Sequence, residues 1–387
     1  MYNRVDTMYW SLLYILVSLE KYELIYFSDE NREAWLESTQ KKNPTIIRLK
    51  CDNFDLANQV EHDIIEMQPL IQQLMKRSFQ RIPAFLNVYI SEQEPVDDWK
   101  LTTEDMRVAA PIKTTFFTND HVEEQRNFLI HSIGLREEDV RSIQTLQGED
   151  PLNLRKRLAV LLESRKKQRE RITNYAQPVI TKALITIQIA MFCILEWNGG
   201  SMNTATLIHF GAKYNPLILQ GEWWRFFTPM FLHIGILHLL MNTVALYYIG
   251  SQVERIIGNG RFLFLYLLAG FSGSVFSFIV SNSVSAGASG AIFGCFSALL
   301  YIAFTYSKIF PKTVLQNVIT LIGINLMFGF IVPGIDNAGH IGGLVGGLLG
   351  AVIVHVPKQA SSVWKRGAAI VASIVVLGGL LWYGYHR

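Results

Sequence analysis

Cysteine is scarce in this sequence. Cys51, Cys193 and Cys295 are the three cysteines among 387 residues; they lie far apart, and no C-x-x-C motif occurs. Such spacing argues against a disulfide framework or a cysteine-based zinc cluster. Two of the three lie within hydrophobic runs, where cysteine usually serves as a small packing residue.

Charge is also low. Only 17% of the residues are charged, 50% are hydrophobic, and the formal net charge is +3. That net charge is too small to indicate nucleic-acid binding. A glycine-rich nucleotide-binding loop is not visible, so neither ATP nor another cofactor is expected. The charged residues are concentrated before residue 170, and long apolar runs follow. This division predicts a soluble region followed by a membrane-embedded one.

Residues 1–150 have the alternating pattern of a soluble α/β domain. The predicted strands are 23–28, 45–49 and 84–91, and the predicted helices are 53–78, 120–133 and 136–145. The apolar segment 8–19 is too short to span a bilayer, and no A-x-A cleavage site follows it. We therefore expect a buried or amphipathic helix there.

Residues 151–177 form a basic juxtamembrane connector. Its basic side chains are Arg155, Lys156, Arg157, Arg165, Lys166, Lys167, Arg169 and Arg171. The connector lies immediately before the first long apolar run. Basic clusters in that position stay in the cytoplasm and favour anionic head groups, so the lipid bilayer is a predicted partner.

Seven apolar stretches follow, each close to the length that crosses about 30 Å of hydrocarbon. The predicted spans are 179–197, 234–253, 262–280, 289–306, 314–332, 339–356 and 368–385. Six of them form a core over residues 178–357, and the seventh occupies 358–387. The predicted fold class is a polytopic α-helical membrane protein with seven transmembrane helices and an N-terminal soluble α/β domain.

Loop charge predicts the orientation of these spans. With the connector in the cytoplasm, the inner loops contain Arg255, Arg261, Lys308, Lys312, Lys358, Lys365 and Arg366. The short outer loops 281–288 and 333–338 contain neither lysine nor arginine. Because basic loops stay on the cytoplasmic side, we expect a multi-pass cell-membrane protein with a cytoplasmic N-terminus and an extracytoplasmic C-terminus.

A serine flanked by small residues opens the fourth span, in Gly287-Ala288-Ser289-Gly290. Serine needs a base to become a good nucleophile, and a helix start stabilises developing negative charge. The motif differs from the G-x-S-x-G elbow of soluble hydrolases, because Ala291 occupies the fifth position. Taken alone, it fits a tight helix start as well as a nucleophile.

A histidine, His340, opens the sixth span. Such a residue in an apolar span is a functional candidate, unless it makes only a structural hydrogen bond to a carbonyl. Both spans carry small residues at intervals of four: Gly290, Gly294 and Ala298 in the fourth, and Gly339, Gly343 and Gly347 in the sixth. Because such stripes let helix backbones approach closely, their packing would bring His340 to Ser289 as a general base.

The second span carries polar residues near its outer end: His233, His238 and Asn242. His238 and Asn242 are four residues apart and share one helix face, where they can donate hydrogen bonds to an oxyanion. A metal site is the alternative. The five-residue spacing of the two histidines suits a shared ligand poorly, and no carboxylate lies beside them, so no metal is expected in the active site.

In this combination, residues 178–386 closely resemble the rhomboid family of intramembrane serine proteases. The matching motifs, in family order, are Trp224-Arg225, His233 with His238 and Asn242, Gly250-x-x-x-Glu254-x-x-x-Gly258, Gly287-Ala288-Ser289-Gly290, and His340 with Gly343 and Gly347. One departure lies next to the histidine, where Gly339 replaces the usual alanine.

The resemblance implies a Ser289–His340 dyad without a catalytic aspartate. It also implies that His238, Asn242 and the Ser289 backbone N–H stabilise the oxyanion. Phe293 stands where family members often have a tyrosine that stacks on the histidine, so stacking can persist without the phenolic hydrogen bond. The seventh span is similar to the family's 6+1 arrangement, and the N-terminal domain resembles that of Gram-positive bacterial rhomboids.

We therefore expect an intramembrane serine endopeptidase that cuts transmembrane proteins near the extracytoplasmic membrane face. The alternative is a membrane-embedded adaptor or scaffold that presents membrane proteins to another quality-control protease. A transporter fits less well, because it would place ionisable residues near the midplanes of the spans. The N-terminal domain is large enough to bind a cytosolic protein or ligand.

Overall fold

The structure, a computed structural model, is described for residues 4–19, 21–38, 46–77, 84–100, 112–120, 122–306, 310, 312–332, 334–359 and 361–386. These residues belong to two compact units, one ending at Lys166 and the other beginning at Lys167. The first unit is built around a β-sheet, and the second is built from long apolar helices.

The first unit is an α/β domain whose described residues form a five-stranded mixed sheet. Its strands, which lie side by side in chain order, are β1 (Tyr22–Ser28), β2 (Glu33–Ser38), β3 (Ile46–Cys51), β4 (Phe85–Ile90) and β5 (Ile112–Phe117). Its helices are α1 (Arg4–Ser18), α2 (Ala57–Glu66), α3 (Gln68–Arg77), α4 (Val122–His131) and α5 (Glu137–Leu146). β1, β2 and β3 pair antiparallel, whereas β3, β4 and β5 run parallel.

Two hydrophobic cores cover the two faces of this sheet. Successive strand residues point to opposite faces, so Ile47 and Leu49 of β3 join a core with α1, whereas Ile46 joins one with α2 and α3. The buried helix expected at 8–19 is therefore α1, which begins earlier, at Arg4.

The prediction for this unit was incomplete in three places. Strands β2 and β5 were not predicted. The single helix expected at 53–78 is two helices, α2 and α3, with Met67 between them. Pro69 explains the break, because proline lacks the N–H that a continuing helix needs and is tolerated only in a first turn. Residue 45 of the predicted strand 45–49 and residue 78 of the predicted helix lie outside the described residues.

A buried ionic network crosses the face of the sheet beneath α2. The Arg48 guanidinium, 4% exposed, donates to Asp63 at 2.5 Å and to Glu33 at 2.5 Å. Lys50 and the Tyr89 hydroxyl also donate to the Asp63 carboxylate. Burial alone would raise the pKa of Asp63, but the hydrogen bonds from Arg48 and its other partners outweigh it and lower the pKa to about 2.

The second unit contains the apolar helices. A 23-residue basic helix, α6 (Pro151–Thr173), includes the boundary between the two units. The helices that follow are α7 (Val179–Trp197), α8 (Thr204–His209), α9 (Asn215–Leu219), α10 (Gly235–Ala245), α11 (Ser251–Ile257), α12 (Asn259–Val280), α13 (Ser289–Thr305), α14 (Lys312–Ile331), α15 (Asn337–Val354) and α16 (Val363–His386). A π-helical turn, Leu246–Gly250, joins α10 to α11 in one continuous rod.

Within the described residues, six helical segments are long and apolar enough to cross a membrane. They are Val179–Trp197, Gly235–Ile257, Asn259–Val280, Val314–Ile331, Asn337–Val354 and Val363–His386. The remaining predicted span is α13, an apolar helix of 17 residues. The fold is therefore that of a polytopic helical membrane protein with an N-terminal α/β domain. The seventh span differs most from its prediction, because it begins at Val363 rather than at residue 368, and the second span continues past 253 to Ile257.

A buried carboxylate links the first two spans. Glu254 is fully buried, and its oxygens accept hydrogen bonds from the backbone N–H groups of Ile180 at 2.8 Å and Thr181 at 2.7 Å. Those N–H groups belong to the first turn of α7, where they have no partner within the helix. The carboxylate thus caps α7 and fixes its start against α11.

Asp63→Asn is expected to destabilise the first unit by about 3 to 5 kcal/mol at neutral pH, because buried cations lose their carboxylate. The folded pKa lies below the ordinary value. The stabilisation from Asp63 is therefore complete above about pH 4 and lost as the pH falls towards about 2. Pulse proteolysis of the full-length protein in detergent, across a urea series, measures both effects.

Asp52→Asn is the matched control for this measurement. Asp52 lies 3.7 Å from the same Lys50 ammonium, but its side chain is 51% exposed. An exposed ion pair contributes about 0 to 1 kcal/mol, so this variant should unfold close to the parent. Equal destabilisation by the two substitutions would contradict the importance assigned to the buried network.

Candidate active site

The proposed nucleophile and base each stand at the start of a helix. Ser289 is the first residue of α13, after the loop 281–288, and His340 is the fourth residue of α15. Asp336 is the N-cap of α15, and its side chain accepts a hydrogen bond from the Gly339 N–H at 2.9 Å. The same carboxylate accepts from the Ser277 hydroxyl of α12 at 2.5 Å, which fixes the start of α15 against α12.

Glycine brings α13 and α15 together backbone to backbone. A Cβ at Gly343 would overlap the carbonyl oxygen of Gly290, and one at Gly347 would overlap the backbone of Gly294. The stripes of small residues therefore face each other as the sequence indicated. α12 joins them, because a Cβ at Gly273 would lie 2.7 Å from the Gly339 carbonyl oxygen.

This close packing places the side chains of Ser289 and His340 in hydrogen-bond contact. His340 Nε2 lies 2.9 Å from Ser289 Oγ. The Phe293 ring stacks on the imidazole, with centroids 4.2 Å apart and planes inclined by 13°. Among the residues that the structure describes, His340 Nδ1 has no hydrogen-bond partner. The geometry is that of a serine–histidine pair whose ring is positioned by stacking and helix packing.

His238 lies beside Gly287, close to Ser289. A Cβ at Gly287 would lie 2.9 Å from His238 Nε2 and 3.8 Å from Ser289 Oγ, so both groups surround this glycine. Gly287 has φ +147°, a conformation that residues with a Cβ rarely adopt. The Ile234 N–H points to His238 Nδ1 at 3.4 Å. In a neutral imidazole this assigns the proton to Nε2, which can then donate towards the nucleophile.

Asn242 and His233 flank His238. The Asn242 amide donates to the His238 carbonyl at 2.9 Å and retains a second N–H for another acceptor. His233 is fully buried, and its ring meets the His238 ring edge to face at 5.4 Å. The His233 ring therefore restricts the position of the His238 ring from one side.

Trp224 and Arg225 occupy a different place. They lie in a short 3₁₀ helix, Trp223–Phe226, of the loop 198–234. We call this loop the first outer loop because the loop charges predict that it lies outside. The buried Arg225 guanidinium pairs with Glu222 at 2.6 Å and donates to the Ile208 and Ala212 carbonyls. Its hydrogen bonds therefore close this loop on itself, whereas Trp224 is 44% exposed.

Comparison with known proteins identifies the family. A rhomboid domain model matches residues 220–357. The chain is 41% identical over 388 residues to "Rhomboid protease GluP" of Bacillus subtilis (strain 168), a match that covers 98% of this chain and 74% of that protein. This chain belongs to the rhomboid family. As a rhomboid it is an enzyme, an intramembrane serine protease whose substrates are transmembrane proteins.

Other rhomboid relatives match smaller shares of the chain. "Rhomboid protease AarA" of Providencia stuartii is 32% identical over 225 residues, 51% of this chain and 80% of that protein. "Putative rhomboid protease YdcA" of Bacillus subtilis (strain 168) is 35% identical over 138 residues, 35% of this chain and 69% of that protein. The GluP match differs because it extends over the α/β unit as well.

The sequence analysis missed several residues that hold this rhomboid site together. Gly273 and Ser277 of α12 contact the start of α15, and Lys213 and Asn215 of the first outer loop contact the end of α12. Four small residues close together, Ala269, Gly270, Ser272 and Gly273, were the available signal for α12. The loop residues carried no such signal, because their partners are backbone carbonyls distant in the chain.

Gly343→Ala is expected to lower the rate of substrate cleavage at least about tenfold, because a displacement near 1 Å between reacting groups is enough for such losses. The added methyl must push α13 and α15 apart and so lengthen the Ser289–His340 contact. The initial rate on a transmembrane reporter in detergent is the measurement.

Gly323→Ala in α14 is the control for this substitution. Within the described residues, a Cβ at Gly323 meets no atom inside 4 Å. The same change of residue type should therefore leave the rate within about twofold of the parent. A parent-like rate for Gly343→Ala would show that close approach of the two helices is not required.

Proposed function

We propose that this rhomboid cleaves transmembrane proteins with a Ser289–His340 dyad. The observation that carries the proposal is the 2.9 Å contact between Ser289 Oγ and His340 Nε2 at the ends of two helices packed through glycine. A general base must lie within hydrogen-bond reach of the proton that it removes, and this distance meets that requirement.

The proposed reaction is acyl transfer to serine. His340 Nε2 accepts the Ser289 proton as Oγ attacks the scissile carbonyl carbon, and the ring returns that proton to the leaving amine. A water molecule then attacks the acyl-enzyme, with His340 again acting as base. The Ser289 N–H, His238 Nε2–H and the second Asn242 N–H are the proposed donors to the oxyanion.

The proposed cleavage point lies near the extracytoplasmic membrane face. Ser289 and His340 each begin a helix that follows an outer loop without lysine or arginine, whereas the opposite loops are basic. The same charge pattern supports a cytoplasmic N-terminus and an extracytoplasmic C-terminus. Because His238 and Ser289 crowd around Gly287, we expect a small substrate residue next to the scissile bond.

The N-terminal unit supports a second role, binding of a cytosolic protein or ligand. It contains a polar cavity of about 440 Å³, whose lining includes Tyr26, Arg32, Trp35, Arg48 and Asp63. A cavity of this size is within the range of small-ligand sites. Such a domain would also suit an adaptor that presents membrane proteins to another quality-control protease.

Ser289→Ala and His340→Ala are each expected to abolish cleavage of a transmembrane reporter by the purified protein in liposomes. Either change removes a group that acts in the same chemical step, so the double variant should be no worse than the single ones. Equal cleavage by parent and variants would assign the activity elsewhere. Presentation of substrates that survives in Ser289→Ala would support the adaptor role beside proteolysis.

Orientation is tested by labelling single cysteines in intact cells after Cys193 is replaced by serine. Ser283→Cys, in an exposed position of the loop 281–288, should react with a membrane-impermeant maleimide, because that loop is expected outside. Ser361→Cys, exposed before α16, should react only after the cells are opened. The reverse pattern would contradict the proposed topology.

A further inference from the structure

The loop that leads to Ser289 is held along its length by the first outer loop. This nucleophile loop, residues 281–288, begins where α12 ends and stops at the first residue of α13. Its contacts with residues 213, 215 and 229 are made chiefly through its backbone.

Lys213 makes the strongest of these attachments. Its side chain is fully buried, and the ammonium donates to the carbonyl oxygens of Ser281 at 2.6 Å and Ser283 at 3.1 Å. Its backbone exchanges two hydrogen bonds with Ser285, at 2.9 and 3.1 Å, in an antiparallel bridge. A buried ammonium is costly unless it is hydrogen-bonded, so these carbonyls must keep their positions around it.

Asn215 attaches the beginning of the same loop. Its amide nitrogen lies 3.0 Å from the Phe278 carbonyl oxygen, 3.2 Å from that of Ser281 and 3.0 Å from Asn282 Oδ1. The last carbonyls of a helix lack partners within it, and a nearby cation is favourable there. Lys213 and Asn215 therefore form a cap, shared with the loop, on the end of α12.

The end of the loop connects these anchored residues to Gly287, Ser289 and His238. The Gly287 N–H donates to the Pro229 carbonyl at 2.9 Å, and Gly287 lies against His238. Gly287 is the second residue after Ser285 in the chain, and Ser289 is the fourth. A shift of the anchored segment therefore changes the position of Gly287 relative to His238 and the direction of the Ser289 N–H.

We infer that Lys213 and Asn215 are positioning residues for catalysis, which clamp the nucleophile loop so that Ser289 and its backbone N–H meet His340 and His238 correctly. The inference rests on the proposed dyad mechanism. Catalytic groups must be held to within about 0.5 Å of their productive geometry, and an eight-residue loop without such anchors would not hold them.

The test compares Lys213→Met, Lys213→Arg and Asn215→Asp in the full-length protein in detergent. For Lys213→Met and Asn215→Asp, kcat per active site on a transmembrane reporter should fall about 10- to 100-fold, with KM within about threefold. The second-order rate of Ser289 labelling by a fluorophosphonate should fall by a similar factor. Lys213→Arg keeps a cation with several donors, and should recover kcat to within about fivefold of the parent.

Lys182→Met is the matched control, because Lys182 is an exposed lysine of α7 and should leave both rates unchanged. Thermal unfolding and fluorophosphonate titration count the folded, reactive fraction of each variant. A purely structural role would lower that fraction while leaving kcat per active site at the parental value. That result would overturn the clamp, and Asn215→Asp and Lys213→Arg allow the comparison even if Lys213→Met does not fold.

The parent and Ser289→Ala distinguish failure of the clamp from failure of the mechanism. Ser289-dependent cleavage with parental kcat in Lys213→Met and Asn215→Asp would overturn the clamp alone. Cleavage that persists in Ser289→Ala would overturn the dyad mechanism, and the clamp would then have no nucleophile to position.

Discussion

The close approach of α13 and α15 is the constraint on which the site depends. Inside a bilayer, apolar helix surfaces gain little from contacting one another rather than lipid, so helix association relies on packing and polar contacts. Here, glycine at Gly290, Gly294, Gly343 and Gly347 lets the two backbones touch. Ser289 and His340 lie at the same end of these stripes, and the helix contact determines the distance between them.

Around this contact the polar groups of the second unit divide into two kinds. Some lie near Ser289: His238, with Asn242 and His233 beside it. Others fix the backbone that carries them, as Asp336 does for the start of α15 and Arg225 does for the first outer loop. The sequence motifs contain residues of both kinds, and the two roles can be told apart only from the contacts in the structure.

The sequence was most informative where one physical rule dominates. Long apolar runs located the spans, and spaced small residues indicated which helix faces meet. The sequence was least informative about strands in which apolar and polar residues do not alternate clearly. β2 has charged ends around Ala34-Trp35-Leu36, and β5 has polar residues between Ile112 and Phe116, so neither resembles an independent strand. The role of Lys213 could not be predicted either, because its hydrogen-bond partners are backbone carbonyls far away in the sequence, and no motif around Lys213 indicates them.

The Glu254 cap has a consequence for biogenesis. Burying a carboxylate among apolar helices costs free energy unless it is hydrogen-bonded. Here its hydrogen-bond partners belong to the preceding helix, which the ribosome makes first. Glu254 therefore gains these partners only once the first span lies beside the second, so the order of synthesis matches the order in which their polar groups find partners.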